Sequence, residues 1–203
     1  SGSEVIDTEI AGWQERSRGE KPLAALERLG WTFVEKARES YDAGFYRLAE
    51  QSALCMESKG QGSAEALLLR GHALHSMHRF QEAETIAREL VKQRGIPFDF
   101  GLLGDVLMDE GKFDEAVAAY QKMVDMRPDL QSYSRAAHTR WMSGDLKGAI
   151  ALMRLESESA SRSESDSSAW VYARLALYEL QAGNLSEADA ACAEALEFRK
   201  DYA

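Results

Sequence analysis

Apolar positions along this chain recur at the three- and four-residue spacing of one helix face, and alternation of the kind that marks strands is nearly absent. Ala, Leu, Glu, Arg and Met dominate the periodic stretches, residues that lose little on entering a helix. Prolines stand only at 22, 97 and 128. A short first pattern carries Ile6, Ile10 and Trp13 within residues 4–19. The pattern as a whole predicts an all-α protein.

Self-comparison orders the helices into repeats. Gly111-Lys112-Phe113-Asp114-Glu115-Ala116 is echoed upstream by His78-Arg79-Phe80-Gln81-Glu82-Ala83 and by Gly44-Phe45-Tyr46-Arg47-Leu48-Ala49. Downstream it returns as Gly144-Asp145-Leu146-Lys147-Gly148-Ala149 and Gly183-Asn184-Leu185-Ser186-Glu187-Ala188. The five copies follow one another at 34, 33, 33 and 39 residues. In this cassette a Gly in the turn ends a first helix, because it takes the left-handed conformation without steric cost. An aromatic residue or Leu two positions later plugs the hairpin. A capping Asp or Ser, as at Asp114 and Ser186, is expected to open the second helix. An Ala three residues after the plug lets two helix backbones approach closely.

These residues resemble tetratricopeptide repeats. The third copy fits the family pattern most fully, with Gly104, Leu107, Gly111, Phe113, Ala116, Tyr120 and Pro128. The second has Gly71, Leu74, Phe80 and Ala83, and the first has Ala37, Tyr46, Ala49 and Ala53. The fourth has Ala137, Leu146, Ala149 and Met153, and the fifth has Ala176, Leu185, Ala188 and Ala195. The early tryptophan of the family is replaced by Phe33, Leu67, Phe100, Tyr133 and Tyr172. The resemblance covers about residues 30–202 and implies an α-α superhelix, a solenoid of about five helical hairpins.

The expected layout is a cloning remnant at 1–3, then an N-terminal capping helix or degenerate repeat at 4–29. Hairpins follow at about 30–63, 64–96, 97–129, 130–163 and 169–202. The longer last spacing comes from a Ser- and Glu-rich stretch, 156–168, read as a solvated loop. Asp201-Tyr202-Ala203 is the way another repeat often opens in this family, so the chain is expected to be part of a longer array.

The resemblance also implies a function, the holding of a protein or peptide segment in a concave groove lined by the first helices. Family groove positions fall on Trp31, Val34, Arg38, Tyr41 and Asp42 in the first repeat and on Glu65, Leu68, His72, His75 and Ser76 in the second. They fall on Phe98, Gly101, Asp105, Met108 and Asp109, then on Gln131, Ser134, His138, Trp141 and Met142. The last set is Trp170, Ala173, Leu177, Leu180 and Gln181, of which Leu177 and Leu180 also suit packing between repeats. Arg38, His72, His75, Asp105, Met108, His138 and Trp141 are the candidate binding residues, since aromatics and Met carry much interface energy. Family members that grip a terminal carboxylate use Lys, Asn and Arg here, whereas this chain offers only Arg38. An apolar or basic segment is the expected partner.

Composition narrows the alternatives. The formal charge of −10 argues against nucleic acid, which needs clustered Lys and Arg. No apolar run reaches the roughly 18 residues of a membrane span. Cys55 and Cys192 have neither zinc nor disulfide spacing and read as small packing residues. Nothing fixes a compartment; the cytoplasm is the default expectation, with a removed leader peptide left open. His72 and His75, at i and i+3, share a helix face and provide the one metal-site alternative, with His78 in the turn. No zinc-protease, nucleophile-elbow or phosphate-loop motif is present, so no catalytic residue, metal or cofactor is expected. Self-assembly through terminal repeats, with Phe198 and Tyr202 in contact, is the remaining alternative.

Overall fold

A computed structural model describes residues 2–60, 63–158 and 165–200. Among these, every regular element is an α-helix. The helices are α1 (Gly2–Arg16), α2 (Pro22–Ser40), α3 (Gly44–Gly60), α4 (Ala64–Ser76), α5 (Phe80–Gln93) and α6 (Pro97–Asp109). They continue as α7 (Phe113–Met126), α8 (Leu130–Met142), α9 (Leu146–Ser157), α10 (Ser165–Gln181) and α11 (Leu185–Phe198). Of the Ser- and Glu-rich stretch, residues 159–164 lie outside the described residues, as does Tyr202. The chain divides into two compact units, 1–119 and 120–203, with the boundary inside α7.

In the first unit, α1 packs on α2, α2 on α3, and α4 on both α3 and α5. Helix α2 begins at Pro22, well before residue 30, because a proline in the first helical turn lacks only an N–H that would be unpaired there anyway. The core of α2–α4 gathers Leu29, Phe33, Val34, Ala53, Met56 and Leu69. First helices also touch one another, α2 with α4 and α4 with α6. Glycine permits this. A Cβ on Gly30 would overlap Leu69 Cδ2, and a Cβ on Gly71 would press on Leu102 Cδ2. Leu69 and Leu102 are 33 residues apart and both almost wholly buried, whereas the glycines they cover are 41 apart, so the leucine recurs with the period and the glycine does not. In the second unit, α8–α11 enclose Ala137, Ala149, Met153, Val171, Tyr178 and Ala191.

Helix ends depart from expectation in three ways. In the first hairpin the left-handed position is held by Tyr41 (φ 57°), and Gly44 is the first residue of α3. In the second it is held by His78 (φ 58°), while Gly111, Gly144 and Gly183 hold it in the others. Capping also sits earlier than Asp114 and Ser186, which lie within the first turns of α7 and α11. The cap of α9 is Asp145, whose carboxylate accepts the Gly148 N–H at 2.8 Å. That bond, then Arg140, holds the Asp145 carboxyl below its usual range. Finally, Cys55 and Cys192 are exposed rather than packed, each one residue round the helix from a buried neighbour, Met56 or Ala191.

Buried charge is used at helix starts and hairpin turns. Asp99 is fully buried, accepts the Ile96 N–H at 3.1 Å, and receives Arg94 through Nη2 at 2.6 Å. This pairing, with Glu65 beside it, raises the Arg94 guanidinium's affinity for its proton. In the second unit Glu179, equally buried, receives Arg154 and the Asn184 side-chain amide. Both carboxylates thus have the partners that burial demands.

Candidate protein-binding surfaces

The first unit brings together most of the candidate residues on α2, α4 and α6. Trp31 meets the His72 ring edge-on, with centroids 5.2 Å apart, and so joins α2 to α4. His75 Nε2 lies 2.8 Å from Asp109 Oδ2, joining α4 to α6. The His75 ring also leans on Phe80, the hairpin plug, at 5.8 Å. Asp105 and Met108 are half-buried on the same helix as Asp109. Arg38 is exposed near the end of α2, beside the almost fully exposed Tyr41. Val34 and Gly101, at family groove positions, are instead buried; Val34 belongs to the α2–α4 core.

The second unit holds His138 and Trp141 on α8. Their rings lie 5.4 Å apart. The Trp141 indole stacks on Tyr178 at 6.1 Å, and its N–H donates to the Gln181 side-chain oxygen. Trp141 is therefore fixed from α10 on one side while staying half-exposed. Leu177 and Leu180 are exposed and, with Leu185, Leu196 and Cys192, line an apolar cleft of about 570 Å³ between α10 and α11. Phe198, expected at a self-association contact, stacks on Tyr172 of its own chain at 5.6 Å.

The histidines do not converge. His72 turns to Trp31, His75 to Asp109, and His78 sits in the turn against Phe80. Among the described residues no three His, Cys, Asp or Glu side chains gather as a metal site would require. No described helix is long and apolar enough to cross a membrane. Asp109, Gln181 and Tyr178 complete the aromatic and histidine contacts. The first two stand at family groove positions but were not singled out by residue type. Tyr178 lies off those positions, and only the packing of α10 on α8 shows its role.

Residues 100–130, spanning most of α6 and all of α7, match the family model for the tetratricopeptide repeat. Solved structures share the architecture. TTC0263 of Thermus thermophilus, described as a thermophilic TPR protein, is 15% identical over 85% of this chain and 92% of that one, with a TM-score of 0.66. MamA from Desulfovibrio magneticus RS-1 is 15% identical over 84% and 95%, with a TM-score of 0.61. A chain of the APC/C hetero-tetramer Cut9–Hcn1 is 12% identical, covers 97% of this chain and 38% of its own, and gives a TM-score of 0.78. Identities this low establish a common fold and nothing finer. No curated protein matches by sequence. Residues 100–130 thus match a tetratricopeptide repeat, and the chain as a whole shares the helical-repeat fold of these structures.

Proposed function

We propose that the chain is a scaffold that binds a protein segment across the exposed faces of its first helices, and that it performs no chemistry of its own. The observation that carries this is the pair of side-chain bridges Trp31–His72 and His75–Asp109, which order a half-exposed aromatic and histidine surface over α2, α4 and α6. Rigid amphipathic side chains already held in place lose little entropy on binding, which favours recognition by a preformed surface. Asp105 and Asp109 give that surface an acidic edge, and Met108 gives it an adaptable apolar one. The fitting segment is apolar with Lys or Arg nearby. His138 and Trp141 offer a second anchor of the same character on α8.

Selection of peptides from a random display library tests this reading. Enriched sequences should combine apolar residues with Lys or Arg, and should lose affinity for a His72→Ala, Met108→Ala variant that keeps its helicity. Enrichment of acidic sequences, or unchanged binding by the variant, would contradict it.

The apolar α10–α11 cleft supports a second reading, self-association through this face. Light scattering across concentration would show growth, abolished by Leu180→Glu. A constant monomer mass would dismiss it.

A further inference from the structure

Helices α1 and α2 enclose a cleft of about 680 Å³ that takes no part in the surface proposed above, although Trp31 borders both. Its volume lies within the range of about 300–1,000 Å³ common for ligand sites. Each helix contributes one tryptophan, one arginine and one glutamate: Trp13, Arg16 and Glu9 from α1, and Trp31, Arg28 and Glu35 from α2.

The order of these residues matters. On α1 the glutamate precedes the arginine by seven residues; on α2 the arginine precedes the glutamate by seven. Seven residues are two helical turns, about 10 Å. The helices run antiparallel, since the chain turns back within residues 17–21 and Lys36 Nζ pairs with Asp7 Oδ1 at 2.9 Å. Like charges therefore fall at the same end. Arg16 and Arg28 form a basic pole near the turn, and Glu9 and Glu35 form an acidic pole two helical turns away. The tryptophans lie between.

The arginines stand apart from most others in the chain. Arg70, Arg79, Arg88, Arg94, Arg140 and Arg154 each hold a carboxylate. Among the described residues Arg28 forms no ion pair, and Arg16 instead lies over the Trp13 ring at 4.5 Å. Glu9 and Glu35 likewise form no ion pair among the described residues. Arg38, Arg47 and Arg174 also form no ion pair among the described residues, but Arg16 and Arg28 line one cleft together. Space is also kept open on the α1 side, where a Cβ on Gly12 would meet nothing within 4 Å.

We propose that this cleft binds an extended peptide segment that carries an acidic residue, an apolar residue and a basic residue at alternate positions. Alternate side chains of an extended strand face one way and repeat at about 6.6 Å, so the outer two stand about 13 Å apart. The long arginine side chains reach over the difference from the roughly 10 Å between the poles. The acidic side chain meets Arg16 and Arg28, the apolar one rests between the indoles, and the basic one meets Glu9 and Glu35. An extended peptide can enter in either direction, so composition rather than order is recognised.

Fluorescein-labelled Glu-Ser-Leu-Ser-Lys, Glu-Ser-Leu-Ser-Glu and Lys-Ser-Leu-Ser-Lys peptides test this by fluorescence polarisation at low salt. The dipolar peptide should bind about tenfold more tightly than either control, because each control sets a charge against a like pole. An Arg16→Glu, Arg28→Glu variant has two acidic poles, and both positions are exposed, so its fold should be intact. It should prefer the dibasic peptide. Gly12→Leu should fill the cleft and weaken the dipolar peptide with no loss of helicity. Equal binding of the three peptides, no binding of any, or a preference unchanged in the double variant would overturn the proposal. The result is independent of the groove reading, whose selected peptides should be indifferent to Arg28→Glu.

Discussion

The joint between α2 and α4 gives a quantitative test of how the repeats stack. Leu69 is fully buried and its methyl carbons fill the space over Gly30. Leu69→Ala should cost about 3 kcal/mol, since the removed carbons lose their burial and leave a cavity. Gly30→Ala alone has two opposed effects. Alanine gains about 1 kcal/mol of helix propensity, while its Cβ overlaps Leu69 and overpacking costs about 1–3 kcal/mol. The net should be a loss of about 1 kcal/mol, the difference of those two terms. In the double variant the clash disappears. The new methyl then occupies part of the vacated space, returning about 0.8 kcal/mol beyond the propensity gain. The double variant should therefore lie only about 1–2 kcal/mol below the native chain, against a sum of about 4, a coupling within the range known for touching residues. Urea unfolding of the four proteins, followed by far-UV circular dichroism, measures this. Additive losses would refute the idea that glycine at position 30 exists to admit Leu69.

Three further outcomes follow from buried and bridging charge. Asp99→Ala should destabilise by about 3 kcal/mol in urea, at the lower end for breaking a buried pair because Arg94 keeps Glu65. Glu156 is buried, and burial, then Asp129, raises its carboxyl above the usual range. A raised acid binds its proton more tightly in the folded state, so its contribution favours folding at low pH and is lost as pH rises through the folded value. Glu156→Gln should therefore stabilise at pH 7, by about 1 kcal/mol or less, and have little effect near pH 3, as thermal melts at the two pH values will show. Asp109→Asn should change stability by no more than about 1 kcal/mol, because the His75–Asp109 pair is partly solvated, yet it should weaken a groove-bound segment that carries Lys or Arg.

Repetition is what made the fold legible. A plug residue recurring at 34, 33, 33 and 39 positions and an Ala three residues on are sequence facts that need one geometry, and the helices fall where that geometry requires. Helix ends were less legible because left-handed φ is open to more than glycine. Tyr41 and His78 adopt it where the turn leaves their side chains exposed. The candidate surface was legible as positions but not as partners. His72 and His75 share a helix face in sequence, yet neighbours on α2 and α6 draw them to different bonds. Glu9, Trp13 and Arg16 lie outside the repeat register, so no internal comparison could rank them. Only the packing of α1 on α2 places them beside Trp31 and Arg28.

The proposed function rests on the exposed faces of α2, α4 and α6 binding a protein segment. A selected apolar-basic peptide titrated into isotopically labelled protein, followed by NMR, tests it most directly. The largest shifts should fall on the His72 and His75 rings, the Met108 methyl and the Trp31 indole. Shifts concentrated on α3 and α5, with those four signals unmoved, would contradict the account.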